Sequence, residues 1–162
     1  MKTTMTMMIV MLMAAFVWAK DYDLHVNADK FFTGLEKAEN VRGDPNAVGD
    51  KHLKDHAYGL LQIRQPYLDD VNRIAGDDVK ATWGKAKLTI ADMKDRAKAR
   101  WAAKVYLNFY GEQYEKRTNK VPTAEVYAKI HNGGPMGWRR GNYDTKRYWA
   151  RVLKINGDWM RT

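Results

Sequence analysis

The chain contains no cysteine and no serine. The first absence excludes disulfides, thiol nucleophiles and thiolate metal sites, and leaves the compartment open. The second excludes a Ser/His nucleophilic pair. There is no internal repeat, low-complexity tract or long linker. A glycine-rich phosphate loop and an aromatic–basic RNA motif are also missing, so no motif speaks for a nucleic-acid partner. His52 and His56 stand four apart, a spacing that suits two ligands on a helix face, but the glutamate of an H-E-x-x-H pair is not there. No metal and no other cofactor is expected.

A long hydrophobic run is lacking too. The apolar stretch Met5 to Val17 is short beside the roughly 20 residues of a spanning helix. It follows a charged start, Met1-Lys2, and runs into Val17-Trp18-Ala19. This order reads as a secretory leader over residues 1–19, cut after Ala19, with an uncleaved anchor as the alternative. The domain is then 20–162, secreted or periplasmic, with no stable membrane span once the leader is removed.

What is present is charge and aromatic bulk. The 162 residues suit one domain, and 12% are aromatic, enough to bury a core. The formal net charge is +9. Such a surface favours polyanions, whether nucleic acid, anionic lipid or an anionic cell wall.

Helix signals dominate. Asn27 or Asp29 can cap a first helix that turns Phe31, Phe32, Leu35 and Ala38 inward and frays near Arg42-Gly43. Asp44 to Asp55 is rich in turn formers and predicts a short hairpin or irregular loop. Ala57 to Arg64 reads as a short buried helix. Pro66 opens the next, which runs to about Ala75 before Gly76. Asp92 to Tyr110 is the longest helix, with Met93, Ala97, Trp101, Val105 and Phe109 as one apolar stripe. Lys94, Lys98, Arg100 and Lys104 lie off that stripe, as a solvated basic face. Thr123 with Glu125 starts a helix that ends at Asn132-Gly133-Gly134-Pro135, and Asp144 or Thr145 starts the last, through Trp149 to Lys154.

Four stretches could carry chemistry. Glu39 ends the first helix beside Ala38. If it is partly desolvated there, it stays protonated and suits a general acid; otherwise it is a surface glutamate like Glu36. Asp50 closes the turn-like Ala47-Val48-Gly49-Asp50, a polar setting that keeps a carboxylate ionised. One carboxyl in an apolar setting and one in a polar setting is the division of labour of glycoside hydrolysis. Asp44 and Asp55 compete with Asp50. In Tyr58-Gly59-Leu60-Leu61-Gln62-Ile63, a glutamine lies inside an apolar segment. It either holds substrate or ties the segment to the hairpin. In His131-Asn132-Gly133-Gly134-Pro135-Met136-Gly137-Trp138, an amide and an indole sit at a turn, where they suit sugar binding or a packed helix cap.

The order E-N-V-R-G-D-P-N-A-V-G-D, A-Y-G-L-L-Q-I-R-Q-P-Y, Y-A-K-I-H-N-G-G-P-M-G-W and T-K-R-Y-W-A-R-V resembles the invertebrate-type (destabilase-like) lysozymes and their cysteine-free bacterial and phage relatives. These lie within the lysozyme-like and lytic-transglycosylase superfamily. The resemblance runs from about Phe31 to Lys154. It implies an α+β, predominantly α-helical, lysozyme-like fold with a small β hairpin beside the cleft. It also implies cleavage of the β-1,4 bond between N-acetylmuramic acid and N-acetylglucosamine in peptidoglycan glycan strands; a monomer is expected. By that resemblance Glu39 is the general acid and then the general base. Asp50 is the stabiliser or nucleophile, with Asp55 as alternative, and Tyr58, Gln62, His131, Asn132 and Trp138 line the cleft. Asn40-Val41 departs from the family's Ser-Gly, and packing of Trp101, Trp149 and the tyrosines stands in for the family's disulfides. A lytic transglycosylase using one glutamate, and a non-enzymatic wall-binding protein, are the competing readings.

Overall fold

The computed structural model describes residues 20–139 and 143–157, so the expected leader and its cut lie outside the described residues. Asn27 opens helix α1 (Ala28–Glu39), and its side chain accepts the Lys30 amide hydrogen at 3.0 Å. Phe31, Phe32, Leu35 and Ala38 are all buried, as their spacing predicts. The helix stops at Asn40, short of Arg42-Gly43. Glu36, read from the sequence as a surface glutamate, is buried instead. Arg96 and Arg100 each reach it at 2.7 Å. Burial alone would push its pKa up, but hydrogen bonds from Arg100 and Arg96 outweigh burial and hold the carboxyl below its ordinary value.

Strand β1 (Val48–Gly49) pairs antiparallel with β2 (Ala57–Tyr58), Val48 opposite Tyr58. The segment Ala57 to Arg64 is therefore not a helix. It is β2 followed by a tight turn, closed by reciprocal 3.0 Å bonds between Tyr58 and Ile63. The backbone explains the difference: Gly59 has φ 75° and Gln62 φ 49°, both left-handed, and a right-handed helix cannot pass through them. At Gly59 an added Cβ would fall 2.2 Å from the Met93 carbonyl oxygen. The turn thus packs directly on the 3-10 helix Ile90–Lys94.

Helix α2 (Gln65–Trp83) carries Pro66 in its first turn. Its helical dihedrals break at Ala75 (φ −132°, ψ 34°), where the sequence ends the helix, and a second helical stretch follows directly to Trp83. Val79, beyond the break, is fully buried, so packing carries helical structure past a glycine that local propensity would stop at. Asp95 caps α3 (Arg96–Thr118) by accepting the Ala97 and Lys98 amides, so α3 starts later than Asp92. The expected four-apart stripe fails on α3. Ala97 is exposed, whereas Ala99, Ala102, Ala103, Tyr106 and Leu107 are buried beside Val105. A four-residue step drifts by about 40° per step around a helix, so the stripe leaves any one face. Thr123 caps α4 (Ala124–Gly133), as expected, and α5 spans Tyr143–Asn156.

Helix α3 packs against both α2 and α4, and α5 packs against both α4 and α1. The hairpin lies against the 3-10 helix, which in turn packs on α3. Among the described residues no helix is long and apolar enough to cross a membrane. Gly59→Ala should destabilise the domain by about 2 kcal/mol, because the new methyl must displace the Met93 carbonyl at a left-handed position. Urea unfolding with an unchanged m value would measure it.

Candidate active site

The last residue of α1 enters a cavity of about 370 Å³. Glu39 forms part of its wall, Asp50, Gln62 and Arg64 come from the hairpin region, Tyr67 and Asp70 from α2, Tyr106 from α3, and His131, Asn132, Gly134 and Pro135 from the end of α4. Asn40 fixes the chain as it leaves α1. Its backbone N–H bonds to Glu36 O at 2.8 Å, and its side-chain amide holds Asp44 O at 2.5 Å. The residue that departs from the family's Ser-Gly thus acts as helix cap and loop clamp at once.

The Glu39 side chain is 12% exposed. Burial pushes its pKa up, and the Asp50 charge pushes the same way; Tyr148, Arg151 and Arg64 pull it down without reversing the direction. The pull is weak for visible reasons. Arg151 Nη2 is 3.9 Å from Oε2, and its side chain is half exposed. The Tyr148 hydroxyl is buried beside Glu39 but makes no hydrogen bond of ordinary length and angle. A carboxyl in this setting keeps its proton where an exposed glutamate has lost it.

His131 Nε2 is 3.8 Å from Glu39 Oε1, yet the two form no ion pair. Burial drives the His131 pKa down to about 4, so the ring is neutral at neutral pH. Its Nε2–H donates to Leu61 O at 3.0 Å, and Nδ1 accepts from the Tyr67 hydroxyl at 3.4 Å. Both ring nitrogens are committed within the protein. The histidine presents ring to the cavity and ties α4 to α2 and to the hairpin turn.

Asp50 adopts φ 51° at the end of β1, and its carboxylate is hydrogen-bonded to Arg64. Asp55, its rival in sequence, is exposed in the loop and does not line the cavity. Gln62 lines the cavity, but its amide nitrogen donates to Gly59 O at 2.7 Å. Its Oε1 lies against Gly49, where a Cβ would fall 2.0 Å away. Asn132 lines the cavity as well. Tyr58 and Trp138 do not. Tyr58 is on β2 beside His56, and Trp138 packs edge-on against Tyr114 at 5.0 Å, with Arg139 over its ring.

Sequence reading passed over Arg64, Tyr67, Asp70, Tyr106, Tyr148 and Arg151. Tyr67 stacks on Tyr106 at 3.6 Å, and Asp70 accepts from Tyr110 at 2.6 Å and pairs with Arg73 at 2.7 Å. Tyr148 and Arg151 are three apart, so they share a face of α5. That spacing was visible, but which face meets Glu39 was not.

A helical body with one two-stranded hairpin beside a carboxylate-bearing cleft is a lysozyme-like fold. The crystal structure of Tapes japonica lysozyme matches with TM-score 0.56, covering 79% of this chain and 89% of that one at 22% identity. A chain in the complex of Aeromonas hydrophila PliI with Meretrix lusoria lysozyme matches at TM-score 0.55 and 23% identity, with coverage of 79% and 89%. At such identities the likeness establishes the fold. In sequence, the chain is 27% identical over 133 residues to Lysozyme 1 of Crassostrea virginica, covering 78% of this chain and 63% of that protein. It is 29% identical over 99 residues to the lysozyme of Meretrix lusoria, covering 61% and 67%. The chain thus spans 63% of the length of the Crassostrea relative. No family model matches. By sequence and by fold the chain resembles the invertebrate-type lysozymes.

A raised pKa has a sign in stability. Glu39 contributes fully below its unfolded value of about 4.3, and that contribution is lost as pH rises through the folded value. Glu39→Gln should therefore be more stable than the parent at pH 8, with the gap closing toward pH 4. Thermal unfolding of both proteins across that range checks it.

Proposed function

We propose that the protein is a muramidase, a glycosidase that hydrolyses the β-1,4 bond between N-acetylmuramic acid and N-acetylglucosamine in peptidoglycan. The observation that carries this reading is Glu39: a buried carboxyl whose pKa its surroundings push up, facing a cavity that also holds Asp50. The lysozyme names of the sequence relatives support it.

In the proposed reaction Glu39 gives its proton to the bridging oxygen as the C1–O bond breaks. Asp50 stabilises the positive charge that develops at C1, or bonds to it. Arg64 holds the Asp50 carboxylate in place. Glu39, now ionised, takes a proton from the water that attacks C1. At that stage Arg151 and the Tyr148 hydroxyl favour the ionised glutamate, since both pull its pKa down. Gln62, His131 and Asn132 are proposed as parts of the sugar-binding wall. The basic surface draws the enzyme to anionic walls, outside the cytoplasm, where it acts as a monomer without nucleic acid.

Peptidoglycan digested by the purified protein should yield reducing muramic acid ends by mass spectrometry. Anhydro ends would instead establish a transglycosylase, and no cleavage would leave only wall binding. Glu39→Gln should lower kcat by about 10²- to 10⁴-fold. Asp50→Asn should cripple a hydrolase and spare most of a transglycosylase's activity. Wall lysis should also fall as salt rises from about 0.01 to 1 M, as the Debye length shrinks from roughly 30 to 3 Å.

A further inference from the structure

The segment just ahead of α1 is anchored from its first described residue. The Lys20 backbone nitrogen donates to Asp78 Oδ1 at 3.2 Å, and the Tyr22 hydroxyl donates to Asp78 Oδ2. Tyr22 is 3% exposed. Its ring meets Trp101 edge-on at 6.0 Å, and Trp101 meets Trp83 at 6.2 Å. Lys104 pairs with Asp21 at 3.1 Å, and Leu24 is buried. One α2 carboxylate therefore faces the peptide nitrogen that follows Ala19, the expected cut.

We propose that Asp78 is the receptor for the α-ammonium of a mature chain that begins at Lys20. A leader peptidase would add water across the Ala19–Lys20 amide. The acyl carbon takes hydroxyl and leaves as the leader's carboxylate, and the nitrogen leaves protonated. An amide offers Asp78 one neutral N–H. The freed terminus offers three N–H donors and a full positive charge from the same place. No rearrangement is needed, because the nitrogen already lies within hydrogen-bond distance. Processing thereby adds an ion pair that the uncut chain does not have. This inference is independent of the muramidase reading.

The first test exports the full chain from a secreting bacterial host and measures the intact mass of the product. The mass of residues 20–162 is expected; retention of residues 1–19, or any other start, overturns the proposal. The second compares purified chains that begin at Lys20 with chains carrying one added glycine, which moves the ammonium by about 3.8 Å. Asp78→Asn should lower the melting temperature of the Lys20-start chain by about 2 °C more than that of the extended chain. Equal losses overturn the proposal. Since Asp78 also holds Tyr22, the same comparison in Tyr22→Phe removes that contact while keeping the Lys20 start; there the Lys20-start chain should still melt higher than the extended one, and equal melting overturns the proposal.

Discussion

His131 stands where α1, α2, α4 and the hairpin turn meet, and its position works only while the ring is neutral. It is buried, its Nε2–H is given to Leu61 O, and its Nδ1 is taken by Tyr67. With a pKa of about 4 it carries no charge at neutral pH. Glu39 lies 3.8 Å away. A charged imidazolium at that distance would favour the glutamate's ionised form and oppose the rise that burial gives its pKa. The same burial therefore acts on both groups: it keeps the histidine neutral and pushes the pKa of the carboxyl up. It also gives the cleft an acid limit. A depressed histidine contributes stability above its unfolded pKa of about 6.5, and that contribution is lost as pH falls through about 4.

Glu36 and Glu39 show how far a helix can divide its carboxyls. They lie three residues apart on α1, and neither is exposed. Glu36 receives two guanidinium groups from the start of α3 and stays below its ordinary pKa. Glu39 receives a distant Arg151 and an ill-placed hydroxyl, and rises. The first is an anchor between α1 and α3, and the second is available for chemistry. Nothing within Leu35-Glu36-Lys37-Ala38-Glu39 separates the two. The difference comes from Arg96 and Arg100, sixty and sixty-four positions further on.

This is also why the sequence could be read only in part. Helix starts were legible at Asn27 and Thr123 because a cap is a local hydrogen bond between neighbours. The grouping of Glu39, Asp50, Gln62, His131 and Asn132 was reached through family-like motifs, and the cavity does bring these five together. Trp138 does not line that cavity: an indole after a turn can face either side, and here it packs on Tyr114. The helix assigned to Ala57–Arg64 failed because an apolar run of that length cannot be told from a buried strand and turn by period alone. The aromatic staples were foreseeable in kind. Tyr67 on Tyr106, and Tyr22 on Trp101, join α3 to α2 and to the N-terminal segment where no disulfide is possible.

Backbone strain points to the same place as the electrostatics. Among the described residues, three that are not glycine have φ in the left-handed region: Asp50, Gln62 and Asn119. Asn119 follows α3, where such a residue is an ordinary helix end. The other two line the cavity. Asparagine and aspartate tolerate this region, but glutamine does so less readily, at a cost of about 1 kcal/mol or more. The surroundings hold it there. Gln62 is fixed by Gly59 O, the turn around it is closed by Tyr58 and Ile63, and Gly59 is seated on the Met93 carbonyl. Relaxing Gln62 would break that turn and move Leu61 O away from His131. Losing that bond would free Nε2–H beside Glu39 and loosen α4 from the hairpin. The strained turn thus supplies the carbonyl that holds the neutral histidine, and the histidine lies 3.8 Å from the carboxyl whose pKa burial raises.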